Sequence, residues 1–282
     1  MNRNKPKDGG AGMTRLTPLA IVRRTPMSNC GRCGQPTCLA FGAAVVATGL
    51  DLALCPFLDR AGLPATPVAT ARDQESRELE FIAALREKSA GLDLVRLAPR
   101  LGAELVPGEP AALRFRYLGQ EALVLKSGLL LDGREPEDHR DQILLYNYLA
   151  SRADSPPSGD WVGLESLPNS ISKVKTLATY CEERLAALFS GADPARLAAA
   201  WRAVDGVAVA RSGASRAAEV AVLPMIPQQI IFWEAAPEEG FAAQVKVLFD
   251  RQALAFLDLE SLVFSAERLA DRLLALVNGD PG

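Results

Sequence analysis

Three of the chain's five cysteines lie within nine residues, in the stretch NCGRCGQPTC, and a fourth follows in a Cys-Pro pair. The spacing is C-x2-C-x4-C-x16-C-P, formed by Cys30, Cys33, Cys38 and Cys55. Thiolates are soft anionic ligands, and four of them around one centre bind either a zinc ion or an iron-sulfur cluster. Metal binding also supplies folding free energy to a small segment. The spacing therefore predicts that this part of the chain folds around a metal centre.

The arrangement of the cysteines favours a cluster over a single ion. Structural zinc sites usually pair two short C-x2-4-C motifs, whereas this chain has one such motif and two single cysteines. Gly31 and Gly34 permit a positive φ that turns backbone N–H groups toward sulfur, and a closing Cys-Pro also occurs in bacterial ferredoxins. Structural zinc stays one alternative. A cluster that only stabilises the fold, without carrying electrons, stays another.

A helix is predicted directly after the cysteine loop, over residues 36–49. Proline is tolerated in the first turn of a helix, and the run CLAFGAAVVATG continues the pattern. Cys38 then lies at a helix N-terminus, whose partial positive charge favours a thiolate. The apolar residues after this helix are expected to return Cys55 to the loop.

Composition divides the chain into four parts. With 282 residues, of which 49% are hydrophobic and 23% charged, the chain is long enough for a substantial core. Residues 1–13 predict a disordered basic arm and residues 14–60 a cluster-binding domain. Residues 61–72 are rich in Ala, Pro and Thr and predict a linker, and residues 73–282 predict a larger domain.

The larger domain is predicted to be α+β with antiparallel strands, because its strands and helices come in blocks rather than in alternation. An amphipathic helix is expected from about residue 79, and a β-meander over residues 112–133. The remaining predicted elements are helices at 140–151, 172–189 and 259–277 and strands at 220–225, 228–235 and 242–250.

Charge and hydropathy exclude several classes of function. The net charge of −3 gives no reason to expect a nucleic-acid partner, although residues 1–24 hold six Lys or Arg and one Asp. No apolar run approaches the roughly 20 residues that span a bilayer, and the start of the chain does not resemble a secretory signal. The expected location is the cytoplasm, where thiols stay reduced, so clustered cysteines indicate metal or redox chemistry rather than disulfides.

No catalytic residue is predicted in the larger domain, and whether the protein is an enzyme is left open. Cys181 is expected to be a buried small hydrophobic residue, and the single histidine, His139, a solvated residue ahead of a helix. No phosphate-binding glycine motif is present. Four acidic residues are expected to be solvated charge: Glu137, Asp138, Glu238 and Glu239. The three tryptophans are expected to be core or interface anchors: Trp161, Trp201 and Trp233.

The run PMSNCGRCGQPTCLAFGAAVVATGLDLALCP, residues 26–56, resembles the 4Fe-4S domain of the corrinoid/iron-sulfur protein large subunit and of the electron-transfer subunit of Rnf-type complexes. The shared elements are N-C-G-x-C-G-x-P-T-C-L-A-F, a glycine in mid-segment and the final C-P. The resemblance implies a 4Fe-4S cluster bound by the four motif cysteines. One departure is Gly42, where related domains commonly have alanine; it slightly weakens the helix and touches no ligand.

Three stretches of the larger domain resemble the C-terminal domain of an uncharacterised family of iron-sulfur proteins, in which the same cysteine segment often precedes a domain of unknown function. They are DQILLYNYL (141–149), GDWVGLESLP (159–168) and VKVLFD (245–250). This resemblance implies no particular reaction.

Together these features predict a redox accessory protein, typical of anaerobic metabolism, that transfers one electron at a time to or from a partner docked by the larger domain. The resemblance makes a corrinoid-type protein one candidate partner. The alternatives are a binding or regulatory module whose metal centre, 4Fe-4S or zinc, is structural or senses oxidants, and an enzyme whose active site lies in the larger domain.

Overall fold

The computed structural model describes residues 17–48, 50–61, 71–109, 111–151, 153 and 155–279. The predicted basic arm and most of the predicted linker lie outside the described residues. The chain separates into two compact units, residues 1–78 and residues 79–282, called the cysteine unit and the larger unit below.

Between residues 17 and 61, the described part of the cysteine unit contains α1, Pro18–Val22, α2, Cys38–Thr48, and a 3-10 turn, Leu52–Leu54. Thr17 begins α1, because its Oγ1 accepts a hydrogen bond from the N–H of Ala20 at 3.2 Å. The expected helix after the loop is present, but it begins at Cys38, two residues later than predicted. The core of the unit consists of Ile21, Phe41, Val45, Leu52, Cys55 and Leu58.

Gly42 sets how closely α1 and α2 approach each other. A Cβ atom at this position would lie 2.6 Å from the backbone oxygen of Pro18 and 3.2 Å from a methyl carbon of Val22. The glycine that the sequence marks as a weak point of the helix is therefore the residue that permits the contact between the two helices.

The division between the two units falls within α3, Ala71–Ala90, and α4, Leu94–Arg100, follows in the larger unit. A four-stranded antiparallel sheet in the order β1-β2-β3-β4 follows and confirms the predicted meander. Its strands are Glu104–Val106, Ala112–Tyr117, Gln120–Leu125 and Gly128–Leu131. The turn between β2 and β3 uses Leu118 and Gly119, both with positive φ, as short hairpins require.

The second sheet has five antiparallel strands in the order β5-β9-β8-β7-β6. The strands are Trp161–Gly163 (β5), Val207–Ala208 (β6), Arg216–Leu223 (β7), Ile226–Trp233 (β8) and Gln244–Asp250 (β9). The three predicted strands of the last third correspond to β7, β8 and β9. The two short strands, β5 and β6, were not predicted, because two or three residues give no readable alternation.

The remaining helices are α5, His139–Leu149; α6, Ile171–Leu177; α7, Glu183–Gly191; α8, Pro194–Ala203; α9, Ala253–Phe256; and α10, Leu259–Asn278. The amphipathic α10 is the centre of the core and packs against α5, α6, α7 and α8. Asp258 begins it by accepting the N–H of Ser261 at 2.8 Å, and Gly279 ends it with a φ of 83°. The α+β class is confirmed.

The helix predicted over residues 172–189 is interrupted by a π-helical turn, Ala178–Glu182, between α6 and α7. Cys181 lies in this turn, is fully buried and donates its S–H to the backbone oxygen of Ala266 at 3.3 Å. Burial, followed by the charges of Glu182 and Glu267, raises the pKa of the Cys181 thiol well above its usual value. The expected buried, unreactive cysteine is therefore confirmed.

Candidate metal centre

The four motif cysteines come from three pieces of backbone and line one small cavity in the cysteine unit. Cys30 and Cys33 lie on the loop before α2, Cys38 is the first residue of α2, and Cys55 follows the 3-10 turn. Cys30 is exposed, Cys33 and Cys38 are half-buried, and Cys55 is buried in the core of the unit. The cavity therefore has one side toward the protein interior and one toward solvent.

The loop that carries the first two cysteines has an unusual backbone. Asn29, Gly31 and Gly34 all have positive φ values, of 49°, 71° and 79°. A Cβ atom on either glycine would meet nothing within 4 Å, so the backbone conformation and not lack of space requires glycine there. The Oδ1 of Asn29 accepts the backbone N–H of Cys38 at 2.9 Å. This bond ties the start of the loop to the start of α2.

Cys38 lies in the first turn of an eleven-residue helix. Thr37 caps this helix, because its Oγ1 accepts the N–H of Ala40 at 3.0 Å and its backbone oxygen accepts the N–H of Phe41 at 3.0 Å. Cys38 therefore lies at a helix N-terminus, as the sequence predicts.

Cys55 is positioned by the short turn before it and by a backbone tie after it. Asp51 begins the turn by accepting the N–H of Ala53 at 2.8 Å, and the N–H of Cys55 donates to the oxygen of Leu52 at 3.4 Å. Beyond the cysteine, the N–H of Asp59 donates to the oxygen of Arg24 at 2.9 Å. The second half of the cavity is therefore anchored to the end of α1.

Cys30 lies among groups that stabilise its thiolate form. The backbone N–H of Arg32, the Ser28 hydroxyl and the Arg32 charge together hold the pKa of the exposed Cys30 thiol below its usual value. The Arg32 guanidinium lies 5.5 Å from the centre of the Phe57 ring, which also lines the cavity. The loop thus favours a thiolate at its most exposed cysteine.

The donor types in the cavity fit an iron-sulfur cluster. Its lining contains four cysteines and neither a histidine nor a carboxylate, and four thiolates are the usual ligands of cubane clusters. Among the residues described, no three His, Cys, Asp or Glu side chains are placed around a single ion position. The residues that would hold a cluster are Cys30, Cys33, Cys38 and Cys55.

Sequence reasoning missed a buried ion pair in the larger unit, between α5 and α10. The Asp141 carboxylate accepts two hydrogen bonds from Arg268, from Nε and Nη2, both at 2.7 Å, and one from the Tyr117 hydroxyl at 2.5 Å. Burial acts to lower the pKa of Arg268, but hydrogen bonding to Asp141 and nearby negative charges together outweigh it, so the pKa is raised. Burial and the Asp141 charge both raise the pKa of Tyr117. The partners are 127 residues apart in sequence, so no local pattern indicates the pair.

The same network corrects the prediction that Asp138 is solvated charge. Asp138 caps α5 and pairs with Arg140 at 2.7 Å and with Arg268 at 3.0 Å, and only 27% of its side chain is exposed. Asp271 joins the network through Arg140 at 2.8 Å and Arg184 at 2.7 Å. The expectation is confirmed for Glu238 and Glu239, which are exposed.

His139 and the three tryptophans are all half-buried. His139 is the first residue of α5 and is half-buried rather than fully solvated. All three tryptophans are half-buried, in the larger unit. Across the residues that the structure covers, no helix is long and apolar enough to cross a membrane.

Comparisons with known proteins match the two units separately. A family model described as "Domain of unknown function (DUF3786)" matches residues 93–272. A second model, described as "Putative Fe-S cluster", matches residues 26–57. The corrinoid/iron-sulfur protein large subunit of Moorella thermoacetica is 41% identical over 56 residues, which are 20% of this chain and 13% of that protein. No solved structure shows a significant match.

Proposed function

The chain belongs to the DUF3786 family through residues 93–272, and we propose that it is an accessory protein that carries single electrons to or from a partner protein. The electron carrier is a 4Fe-4S cluster bound by Cys30, Cys33, Cys38 and Cys55. An iron-sulfur binding role agrees with the family model over residues 26–57 and with the corrinoid/iron-sulfur relative.

The observation that carries this proposal is that all four motif cysteines, including Cys55 from a separate segment, line one cavity. When bound, the cluster supplies one-electron chemistry. The chain supplies the ligands and places Cys38 at a helix N-terminus. It also supplies a loop with positive φ values, a conformation that turns backbone N–H groups toward a bound anion. Such groups favour negative charge and so bear on the reduction potential of a bound cluster.

Electron transfer, rather than a purely structural role, is supported by where the cavity lies. Cys30 is exposed, so the cavity reaches the surface of the cysteine unit. Apolar side chains next to the motif cysteines in sequence are also exposed: 55% of Leu39, 48% of Leu54 and 46% of Phe57. An electron donor or acceptor must approach the cluster closely, and the exposure of Cys30 and of the cavity-lining Phe57 permits such an approach.

We assign the docking of the partner to the larger unit, and we propose that the partner is a redox or corrinoid-type protein. The corrinoid link rests on the name of one relative that shares the cysteine segment alone. All five cysteines are free thiols, and we place the protein in the cytoplasm, where thiols and clusters are kept reduced.

The test is anaerobic reconstitution with iron and sulfide, followed by metal analysis and EPR spectroscopy of the dithionite-reduced protein. We expect about four irons and four sulfides per chain, a brown colour that bleaches on reduction, and a reduced-state EPR signal. Reoxidation by a one-electron acceptor should restore the colour. A colourless protein with one bound zinc would contradict the cluster, and a cluster that cannot be cycled would contradict electron transfer alone.

Serine variants identify the ligands. Replacing any one of the four motif cysteines by serine should lower bound iron, because a hydroxyl is a poor ligand for iron in a cluster. Cys181→Ser is the matched control: this cysteine is buried in the larger unit and its hydrogen bond to Ala266 can also be made by a hydroxyl. Its iron content and EPR signal should equal those of the unchanged protein.

A further inference from the structure

A second cavity, of about 640 Å³, lies in the larger unit between α8 and one end of the five-stranded sheet. Its volume is within the range of about 300–1,000 Å³ that is usual for small-molecule sites. Its wall is largely apolar, and its largest apolar side chains are Phe189, Leu197, Trp201, Ile230 and Phe232. Neither the proposed electron transfer nor the ion-pair network uses this cavity.

The cavity exists because small residues occupy facing positions on the sheet. In the strand register, Ala208 on β6 lies opposite Ala218 on β7, and Ala218 lies opposite Ile230 on β8. All three line the cavity. Two alanines side by side leave a space against α8 that larger side chains would fill. Ala208 and Ala218 therefore form one wall of the cavity, called the alanine floor below, and the sheet does not pack fully against α8 there.

Trp201 is held at the edge of this space by Gly206. The N–H of Gly206 donates to the backbone oxygen of Trp201 at 2.8 Å, and a Cβ at Gly206 would lie 2.9 Å from the indole ring. The Trp201 and Phe189 rings are 5.5 Å apart, and Phe189 meets Phe232 edge-to-face at 5.6 Å. Phe189 therefore contacts both other rings, and the three together form an aromatic surface suited to a flat ring system.

The only charged residues in the cavity lining are two arginines, Arg202 and Arg216. Within the described part of the chain, Arg202 forms no ion pair, and its Nε donates to the Ala198 oxygen of its own helix at 3.3 Å. Arg216 lies 5.7 Å from the Phe232 ring centre and pairs at 3.0 Å with Glu234, which lies outside the lining. Both partners of that pair are about half exposed, so an anionic ligand can compete for Arg216.

We propose that this cavity binds an aromatic carboxylate, with the ring system between Trp201 and the alanine floor and the carboxylate beside Arg202 and Arg216. The apolar wall supplies affinity through burial of the ring. The arginines supply selectivity for a negative charge, because guanidinium groups bind carboxylates through paired N–H donors.

The experiment is isothermal titration calorimetry of the full-length protein with 2-naphthoate and with its neutral counterpart, 2-naphthamide. The two probes have the same ring and differ in charge. We expect 2-naphthoate to bind about fivefold more tightly, the factor that exposed charge pairs provide. The double variant Arg202→Gln/Arg216→Gln should remove this preference and leave the affinity for 2-naphthamide unchanged.

Filling the cavity tests the location. The double variant Ala208→Leu/Ala218→Leu should lower the affinity for both probes at least tenfold. Because Ala218 is buried and its replacement could disturb the sheet, Ala208→Leu alone, on the exposed edge strand, provides the second measurement and should lower both affinities in the same direction. Arg114→Gln is the control for general loss of positive charge, since Arg114 is a partly exposed arginine on β2 of the other sheet.

Three outcomes would overturn the proposal. They are failure of both probes to bind the unchanged protein, equal binding of the two probes, and unchanged binding by the Ala208→Leu variant. Iron content does not enter any of these readouts, so the result is independent of the cluster.

Discussion

The cysteine unit and the larger unit differ in how much apolar surface holds each of them together. The buried core of the cysteine unit consists of Ile21, Phe41, Val45, Leu52, Cys55 and Leu58, so that one of its members is a motif cysteine. The larger unit buries residues from nearly all of its helices and strands around α10 and contains no motif cysteine. Small units with little core usually need a metal or another cross-link to fold stably.

The two units also differ in what their buried polar groups contribute to folding. In the cysteine unit the proposed cluster would add to a small core, so we expect its binding to be coupled to folding. In the larger unit the Asp141–Arg268 pair lies inside a fold that has ample apolar packing, and a buried pair of this kind is weak evidence for net stability. Loss of the metal and loss of the ion pair should therefore affect different units.

The largest expected effect is loss of structure in the cysteine unit when metal is removed. After anaerobic chelation, amide hydrogen exchange at Ile21, Phe41 and Val45 should lose all protection, because metal binding can supply about 10 kcal/mol of folding free energy to a small domain. Amides of α10 should keep their protection. Protection that persists in α1 and α2 without metal would show that the small core is sufficient.

The second largest effect is expected from breaking the buried ion pair. Arg268→Met leaves the Asp141 carboxylate buried without its partner, which should lower the free energy of unfolding by about 3–5 kcal/mol. Urea unfolding followed by tryptophan fluorescence measures this change, since all three tryptophans lie in the larger unit.

Two controls accompany the Arg268 variant. The double variant Asp141→Leu/Arg268→Met should recover part of the loss, since it removes both charges. The iron content of both variants should equal that of the unchanged protein. A fall in iron content would show that the two units are not independent.

A smaller effect is expected from Gly42→Ala in the cysteine unit. Helix propensity alone predicts that this change stabilises α2 by about 1 kcal/mol. The 2.6 Å approach of the new Cβ to the Pro18 oxygen predicts the opposite sign, a destabilisation of about 1–3 kcal/mol. Thermal loss of the cluster absorbance measures the change, and a higher loss temperature for Gly42→Ala would contradict the steric role of Gly42.

The smallest effect concerns pH and the larger unit. Burial raises the pKa of Glu267, and the charges of Asp271 and Glu260 raise it further. The charges of Arg140 and Arg184 act in the opposite direction. A carboxyl whose folded-state pKa is raised costs stability once it ionises, and this cost appears as pH rises from its ordinary pKa through the raised value.

Glu267→Gln should therefore stabilise the larger unit by less than about 1 kcal/mol at neutral pH and by nothing below the ordinary glutamate pKa. Urea midpoints measured across this pH range give the difference. A gain that is equal at all pH values would mean that ionisation of Glu267 is not its cause.

Local sequence signals predicted the elements whose contacts are local. Alternating apolar residues on either side of Leu118 and Gly119 predict the meander, and both residues have positive φ in its turn. The cysteine spacing predicts the four thiols that line the cavity. The α8 helix was not predicted, although Asp193 caps it and Pro194 lies in its first turn, which are local start signals. Its packing against α10 depends on the tertiary fold.

Features that depend on distant residues could not be predicted from the sequence. The Asp141–Arg268 pair joins α5 to α10, and the cavity beside Trp201 depends on the register of β6, β7 and β8. Likewise, the role of Gly42 depends on a neighbouring helix that covers only Pro18–Val22. Each of these requires knowledge of which elements are adjacent, and one sequence does not contain it.

The tip of the β2–β3 hairpin has a consequence for how the larger unit unfolds. The N–H of Leu118 donates to the oxygen of Val222 on β7 at 3.1 Å, and Gly119 lies so close to the Ala203 oxygen at the end of α8 that no side chain fits between them. At the hairpin tip, the four-stranded sheet is thus hydrogen-bonded to the five-stranded sheet and packed against the end of α8. Separating the two sheets would break these contacts, so we expect denaturation of this unit to be a single cooperative event.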